Sequence, residues 1–516
     1  MSAVAAPRAG ALRARAAALP AWLVVAAGLG ALVGVSLWLR TQAMITSFWI
    51  DEGLSVGIAD RPVWEIPSIL RLDGAPPLYY VLLSVWMDLR GMGEGDTHAL
   101  SLAFALLFVP VAFACADALW GRREAWIAAL VGALLPYLTY YAQETRMYAL
   151  VALLSLVVVT SFALVFVHGR RGFLPLFSLS LVTAMYTHNW ALFLATAAFL
   201  TAVALSWRDR DWKSVLLAFV PVGLLYAPWL PTLLFQAAHT GAPWSERPSF
   251  DKLIDGIGLV LGRDVPSTAA LFGAGAGGAA LLARRPLDRD ARTAVAIAAL
   301  GLGALLIAWL VSQASPAWAN RYFAVGVGPL VLLAAVGFAR GGRIGLVALA
   351  LCSALWLSDP RDRELRRKSN AAQVGSLFSA RVEPGDQVVV THPEQAAVMH
   401  YYLPEGLRWA DPLGRVEDPR VFDWRDVHER LEIAEPAIIA EPLLRGLRPG
   451  QRLLLVQPLL RGQEWATDYT ALVKQRVVEW ERLLDRDPRL RRVDTAPKFG
   501  LRRPGRGLRA VLYVRR

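Results

Sequence analysis

Four clusters of polar and ionisable residues interrupt a chain that is otherwise largely apolar. They are Asp51-Glu52 with Asp73 a little further on, Gln143-Glu144-Thr145-Arg146 with Tyr140, Tyr141 and Tyr148 around it, His188-Asn189, and Asn320-Arg321-Tyr322. These residue types suit displacement at the anomeric carbon of a sugar whose leaving group is a phosphate. The attacking hydroxyl needs a carboxylate within hydrogen-bond reach, and Asp51 is the candidate base. The departing phosphate needs positive charge, and guanidinium groups match its oxygens geometrically. Arg146 and Arg321 are therefore the candidate phosphate clamps. Glu52, Asp73, Gln143, Glu144, Tyr148, His188 and Tyr322 are candidates for orienting substrate. Glu52, Glu144 and His188 are also the candidates for holding a divalent cation such as Mg2+ or Mn2+, a requirement that the sequence leaves open.

Each cluster also has a structural alternative. Asp51-Glu52 would cap an interfacial helix, where acids suit the helix dipole. Glu144 and Arg146 would pair across a tight turn, Arg321 would snorkel from a helix end, and Asp73 would fix the turn before Pro76-Pro77.

The elements that must position these groups are membrane helices. The chain has 516 residues, of which 55% are hydrophobic and 19% charged, against roughly 25% charged in soluble domains. Mean hydropathy is +0.41. Between about residues 18 and 357, apolar runs alternate with short polar loops, and several reach the roughly 18–20 residues that span a bilayer. The 19 tryptophans, many at run ends, suit interfacial belts. The net charge of +12 lies largely in short loops and an Arg-rich C-terminal region, without a nucleic-acid motif. Cys115 and Cys352 form neither a disulfide framework nor a metal pattern. Arg8, Arg13 and Arg15 precede the apolar stretch 19–39, which reads as an uncleaved first membrane helix.

The positive-inside rule then sets the topology. With the N-terminus cytoplasmic, about eleven spans place Arg122-Arg123, Arg170-Arg171, the 208–213 loop, Arg284-Arg285, and Arg340 with Arg343 inside. All four polar clusters fall outside, as do the loops 41–97 and 234–268. The apolar segment 76–89 is too short to span, and it is placed at, or dipping into, the outer face. Composition changes near residue 358. A charged linker (361–368) precedes short strand-like runs at 387–390, 438–439, 452–456 and 510–514, with helices at 393–402 and 471–484. The expected architecture is mainly α: a polytopic membrane domain over 1–357 and a soluble extracytoplasmic α/β domain over 358–516.

Three stretches carry a family resemblance: Phe48-Trp49-Ile50-Asp51-Glu52-Gly53, Pro76-Pro77-Leu78-Tyr79-Tyr80, and Tyr141-Ala142-Gln143-Glu144-Thr145-Arg146-Met147-Tyr148-Ala149-Leu150. Tyr186-Thr187-His188 and Arg321-Tyr322 match more weakly. Over about residues 47–330 the chain resembles bacterial membrane glycosyltransferases of the GT-C superfold. The particular likeness is to the family of the protein O-mannosyltransferases and the aminoarabinose transferase of lipid A. The resemblance implies a polyprenyl-phosphate sugar donor, an extracytoplasmic site, inversion, and the aspartate of the acidic pair, here Asp51, as base. It supports Arg146 and Arg321 only loosely as donor-phosphate ligands, and it leaves the metal open. Ala75 departs from the mannosyltransferase pattern, which has histidine before the double proline.

The expected function is transfer of mannose or arabinose to a glycan, lipid or protein acceptor at a bacterial plasma membrane, with no nucleic-acid partner. C-terminal domains in this fold usually help bind the acceptor or pack over the site. The alternatives are a flippase or transporter of polyprenyl-linked sugars and a non-catalytic envelope assembly protein. A transporter places polar groups through the midplane, whereas the topology here gathers them on one face.

Overall fold

The computed structural model describes residues 20–283, 286–358, 364–460, 465–496 and 507–516. Arg8, Arg13, Arg15, the Arg284-Arg285 pair and residues 361–363 of the charged linker lie outside the described residues.

In lipid, backbone polar groups must be satisfied within the segment, so apolar runs of this length fold as helices. Each run expected to span falls on helix. Among the described residues, seven helices are long and apolar enough to cross a membrane. They are α1 (Ala21–Arg40), α5 (Glu94–Leu119), α8 (Tyr148–Phe166), the joined α11 (Trp212–Tyr226) and α12 (Leu230–His239), α14 (Asp264–Leu282), α15 (Arg289–Ala314) and α16 (Ala324–Arg340) with the turn before it. Shorter apolar helices lie between and after them: α6 (Arg122–Leu134), α7 (Pro136–Tyr141), α9 (Leu174–Thr187), α10 (Ala191–Asp209) and α17 (Gly342–Leu357). The chain is a multi-pass membrane protein.

α8 and α16 form the centre of the bundle, and Gly328 of α16 meets the Leu156 backbone of α8 at a point where a Cβ would not fit. α1, α11 and α14 instead expose apolar side chains such as Trp22, Leu216, Leu224 and Phe272, as lipid contact requires.

Three short helices sit at one end of the bundle: α2 (Ile50–Ala59), α3 (Ile66–Asp73) and α4 (Leu78–Arg90). The segment 76–89 is α4, which packs on α2, α5 and α9. A further helix, α13 (Phe250–Val260), follows the second loop.

Beyond α17 the chain builds a six-stranded mixed sheet of order β3-β2-β1-β4-β6-β5. The strands are β1 (Gln387–Val390), β2 (Arg408–Asp411), β3 (Gly414–Val416), β4 (Arg452–Pro458), β5 (Leu490–Ala496) and β6 (Leu508–Arg515). β1 runs parallel to β2 and β4, and the other pairs are antiparallel. The accompanying helices are α18 (Ala371–Phe378), α19 (Gln395–Tyr402), α20 (Val427–Ile433), α21 (Pro436–Arg445) and α22 (Asp468–Arg486).

One expected strand is corrected. Ile438-Ile439 lies in α21, which Pro436 starts and whose Ala440 and Leu444 are buried four residues apart. Two β-branched residues are too few to set a period of two. β2, β3 and β5 were not anticipated, because Arg408, Asp411, Arg491, Arg492 and Asp494 interrupt their apolar alternation.

The sheet region is docked on α2 through α19. Gly53 lies against the backbone of Val398, and Gly57 against the carbonyl of Arg420, where a Cβ would collide. Arg61 pairs with Asp418 at 3.1 Å, and the Tyr402 hydroxyl accepts the Phe48 N–H at 2.8 Å.

Candidate active site

α2 starts where Trp49 is extended and the Glu52 carboxylate reaches back to the Trp49 N–H at 3.3 Å. This capping arrangement puts two acids in the first turn, where the helix dipole favours them. Their fates then diverge.

Glu52 points inward and is fully buried. It takes Lys368 Nζ at 2.7 Å, His98 Nε2 at 2.7 Å and the Thr145 N–H at 2.9 Å. Burial by itself raises its carboxyl, but the charges of Lys368 and His98 outweigh it and hold the group down at about 2. Three separate segments besides α2 meet on this one side chain. The 98 and 368 partners are 46 and 316 residues away in sequence, so no local pattern could have found them.

Asp51 faces the other way, with 14% of its side chain exposed. Its Oδ2 lies 3.5 Å from Arg321 Nε and 4.0 Å from an Arg146 guanidinium nitrogen. That oxygen is buried without a hydrogen bond, as are Arg146 Nε and Arg321 Nε. The carboxylate and the two guanidiniums thus face one another at ion-pair distance with hydrogen-bonding capacity left over.

Arg146 is anchored by its other nitrogens. It donates to Ser55 Oγ at 2.9 Å and to the Asp51 carbonyl at 3.2 Å, with Tyr80 and Tyr148 hydroxyls at 3.4 and 3.5 Å. Arg321 lies over the rings of Trp244, Tyr322 and Trp49, at 5.0, 5.2 and 5.6 Å. Its carbonyl accepts the Tyr137 hydroxyl at 2.5 Å, which fixes the turn before α16.

Asp73 ends α3, and Gly74 follows in the left-handed region (φ 99°) that closes the helix. Asn189 donates to the Gly74 carbonyl at 3.0 Å and Gln236 to the Leu70 carbonyl at 2.7 Å, so the turn before α10 and the helix α12 hold this turn. Burial pushes the Asp73 carboxyl up to about 6. Arg146 opposes the rise and Asp51 adds to it.

His188 packs on Tyr322 and Tyr148, with ring centroids 4.9 and 6.0 Å apart. Its Nδ1 accepts the Trp190 N–H at 3.1 Å, leaving the proton on Nε2. Burial, then Arg146 and Arg321, hold its pKa down at about 3, so the imidazole is neutral.

The structure thus brings Asp51, Asp73, Arg146, Arg321, Tyr148, His188 and Tyr322 into one cluster. Gln143 lies behind it, accepting the Ala43 N–H at 2.7 Å and donating to the Thr139 carbonyl at 2.9 Å. Glu144 is buried in the same turn. The cation candidates Glu52, Glu144 and His188 do not converge, and among the described residues no three His, Cys, Asp or Glu side chains gather as a metal centre.

The sheet region adds a group the sequence did not flag. Glu394, just before α19, has a side chain only 12% exposed, with His392 Nδ1 3.8 Å away. Burial, then the Asp51 charge, pushes its carboxyl up to about 8. Arg321 opposes the shift and Asp73 adds to it. The only sequence signal was an acid at the end of a strand-to-helix loop, far along the chain from the other clusters.

No protein-family model and no curated protein matches the chain. Its fold is that of ArnT from Cupriavidus metallidurans. The apo structure of that protein superposes with TM-score 0.62 at 15% sequence identity, covering 95% of this chain and 97% of that one. The structure bound to undecaprenyl phosphate gives TM-score 0.59 at 15% identity, covering 96% and 98%. The likeness in fold extends over nearly the whole of both chains.

Proposed function

We propose that the protein is a glycosyltransferase that moves a sugar from a polyprenyl-phosphate carrier to an envelope acceptor, at the extracytoplasmic face of a bacterial plasma membrane. The observation that carries this reading is the ion-paired cluster in which Asp51 Oδ2 and the Nε groups of Arg146 and Arg321 are buried without a hydrogen bond. The match to a structure described as bound to undecaprenyl phosphate supports the carrier class.

In this reading Asp51 takes the proton of the acceptor hydroxyl. The oxygen attacks the anomeric carbon, the bond from that carbon to the phosphate oxygen breaks, and the electron pair leaves on polyprenyl phosphate. Attack opposite the leaving group inverts the centre. Arg146 and Arg321 stabilise the charge that develops on phosphate, in a site dry enough to make the interaction strong. The tyrosine-rich wall and neutral His188 offer hydrogen-bond donors to sugar hydroxyls. The sugar is mannose or arabinose, and the acceptor is a glycan, lipid or protein.

The test is transfer from radiolabelled polyprenyl-phosphomannose and polyprenyl-phosphoarabinose in membranes, with wild type beside Asp51→Asn and with or without chelator. Transfer that Asp51→Asn abolishes supports the reading, and chelator sensitivity reports metal dependence. Unimpaired transfer in a folded Asp51→Asn protein removes Asp51 as base.

A further inference from the structure

A cavity of about 460 Å³ opens between the bundle and the sheet region, one residue from the Asp51 cluster. Trp244 is a shared wall: it lines the cavity and lies beneath the Arg321 guanidinium, 5.0 Å away. Trp318 forms a second wall, and Ser245 ties the two segments together by accepting the Trp318 N–H at 2.8 Å. The third wall is the first turn of α22, with Thr467 and Thr470.

Indole faces set among hydroxyls and the Asn320 amide suit a saccharide, whose C–H face packs on an aromatic ring while its hydroxyls take polar partners. The charge on the lining is uneven. Arg247 and Lys252 oppose one acid, Glu246. Both cations are exposed, and among the described residues neither has an ion-pair partner. The N-terminus of the 19-residue α22 turns its positive end to the same space. The volume falls in the range of about 300–1,000 Å³ that holds a small ligand.

We propose that this cavity is the acceptor subsite and that it takes a saccharide carrying a carboxylate or phosphate. The proposal rests on the glycosyltransferase reading. An acceptor held here places a hydroxyl toward Asp51 past Trp244, while the donor phosphate stays with Arg146 and Arg321. Because the α22 wall belongs to the sheet region, the docking of that region on α2 completes the acceptor site.

The test uses the full-length protein in detergent micelles, titrated calorimetrically with tetragalacturonate, maltotetraose 6-phosphate and neutral maltotetraose. At low salt both charged tetraoses bind at least about tenfold more tightly than the neutral one, and the gap shrinks as salt screens the cations. Arg247→Ala/Lys252→Ala brings the charged ligands to the neutral level, and Ala466→Trp, at an exposed lining position, abolishes binding of all three. A preference for one charged tetraose over the other decides between carboxylate and phosphate. Equal binding of charged and neutral ligands, a preference that survives the double variant, or no binding at all overturns the proposal. Competition by phosphatidylglycerol nanodiscs, abolished by the double variant, overturns it in favour of a lipid headgroup. Polyprenyl-phosphate binding is measured on the same preparations. Its absence beside intact tetraose binding overturns the donor reading and leaves the subsite standing, and the reverse result removes the subsite alone.

Discussion

Asp51 and Glu52 are adjacent in sequence and opposite in role. Glu52 is locked by Lys368, His98 and the Thr145 N–H, whereas Asp51 keeps an oxygen without a hydrogen bond between two guanidiniums. Asp51→Asn keeps the shape and removes the base. Transfer falls by about 10²–10⁴-fold, the range for general-base loss, while polyprenyl-phosphate binding persists. Glu394 makes a second prediction. Its carboxyl, pushed up to about 8, is neutral at pH 7 and ionises above that value. The groups that bear on it are Asp51 on α2, Asp73 on α3, Arg321 before α16, and His392 on its own loop. Ionisation adds a negative charge beside Asp51 and the phosphate site, so activity declines above about pH 8. Glu394→Gln, neutral at every pH, removes that alkaline decline. A pH–rate profile identical to wild type removes Glu394 from the site.

At the scale of elements, α2 is held from both sides, and the linker before the sheet region supplies its buried cation. Lys368→Met leaves Glu52 buried with one fewer counter-charge and costs about 3–5 kcal/mol, read as a lower melting temperature. The same network sets acid sensitivity. The Glu52 carboxyl is depressed to about 2 in the folded protein from an ordinary value of 4.5. Its contribution to stability is present above pH 4.5 and is lost as pH falls toward the depressed value. Melting followed from pH 6 to pH 3 shows a slope that Glu52→Gln reduces. Gly57→Ala forces a methyl against the Arg420 carbonyl and costs about 1–3 kcal/mol, as overpacking does. If the sheet region completes the acceptor site, the same change lowers transfer more than donor binding.

At the scale of the whole molecule, basic loops and the polar cluster lie at opposite ends of the bundle in the topology read from sequence. With the cluster extracytoplasmic, Glu405→Cys in the sheet region is labelled by an impermeant maleimide on intact cells, and Arg170→Cys only after permeabilisation. Both positions are exposed, and the native Cys115 and Cys352 are buried. The reverse pattern inverts the topology and removes the extracytoplasmic assignment.

Hydropathy alone marked the long apolar helices of the bundle, because lipid leaves a run of apolar residues no other way to satisfy its backbone. It also marked the strands β1, β4 and β6, whose apolar runs are uninterrupted. Charge placement singled out Asp51, Arg146 and Arg321, since ionised groups beside apolar helices are costly and their types are few. The sequence named Asp51 as the base and gave Glu52 to substrate orientation or a cation. Tertiary packing instead locks Glu52 among Lys368, His98 and the Thr145 N–H, because the direction of each side chain depends on what surrounds α2. The partners of Glu52 come from α5, the turn before α8 and the linker, and Glu394 and the α22 wall of the cavity come from the sheet region hundreds of residues further on. Periodicity and local charge report on neighbours along the chain. Contacts between distant segments are decided by how the helices and the sheet pack, and that is where this site is assembled.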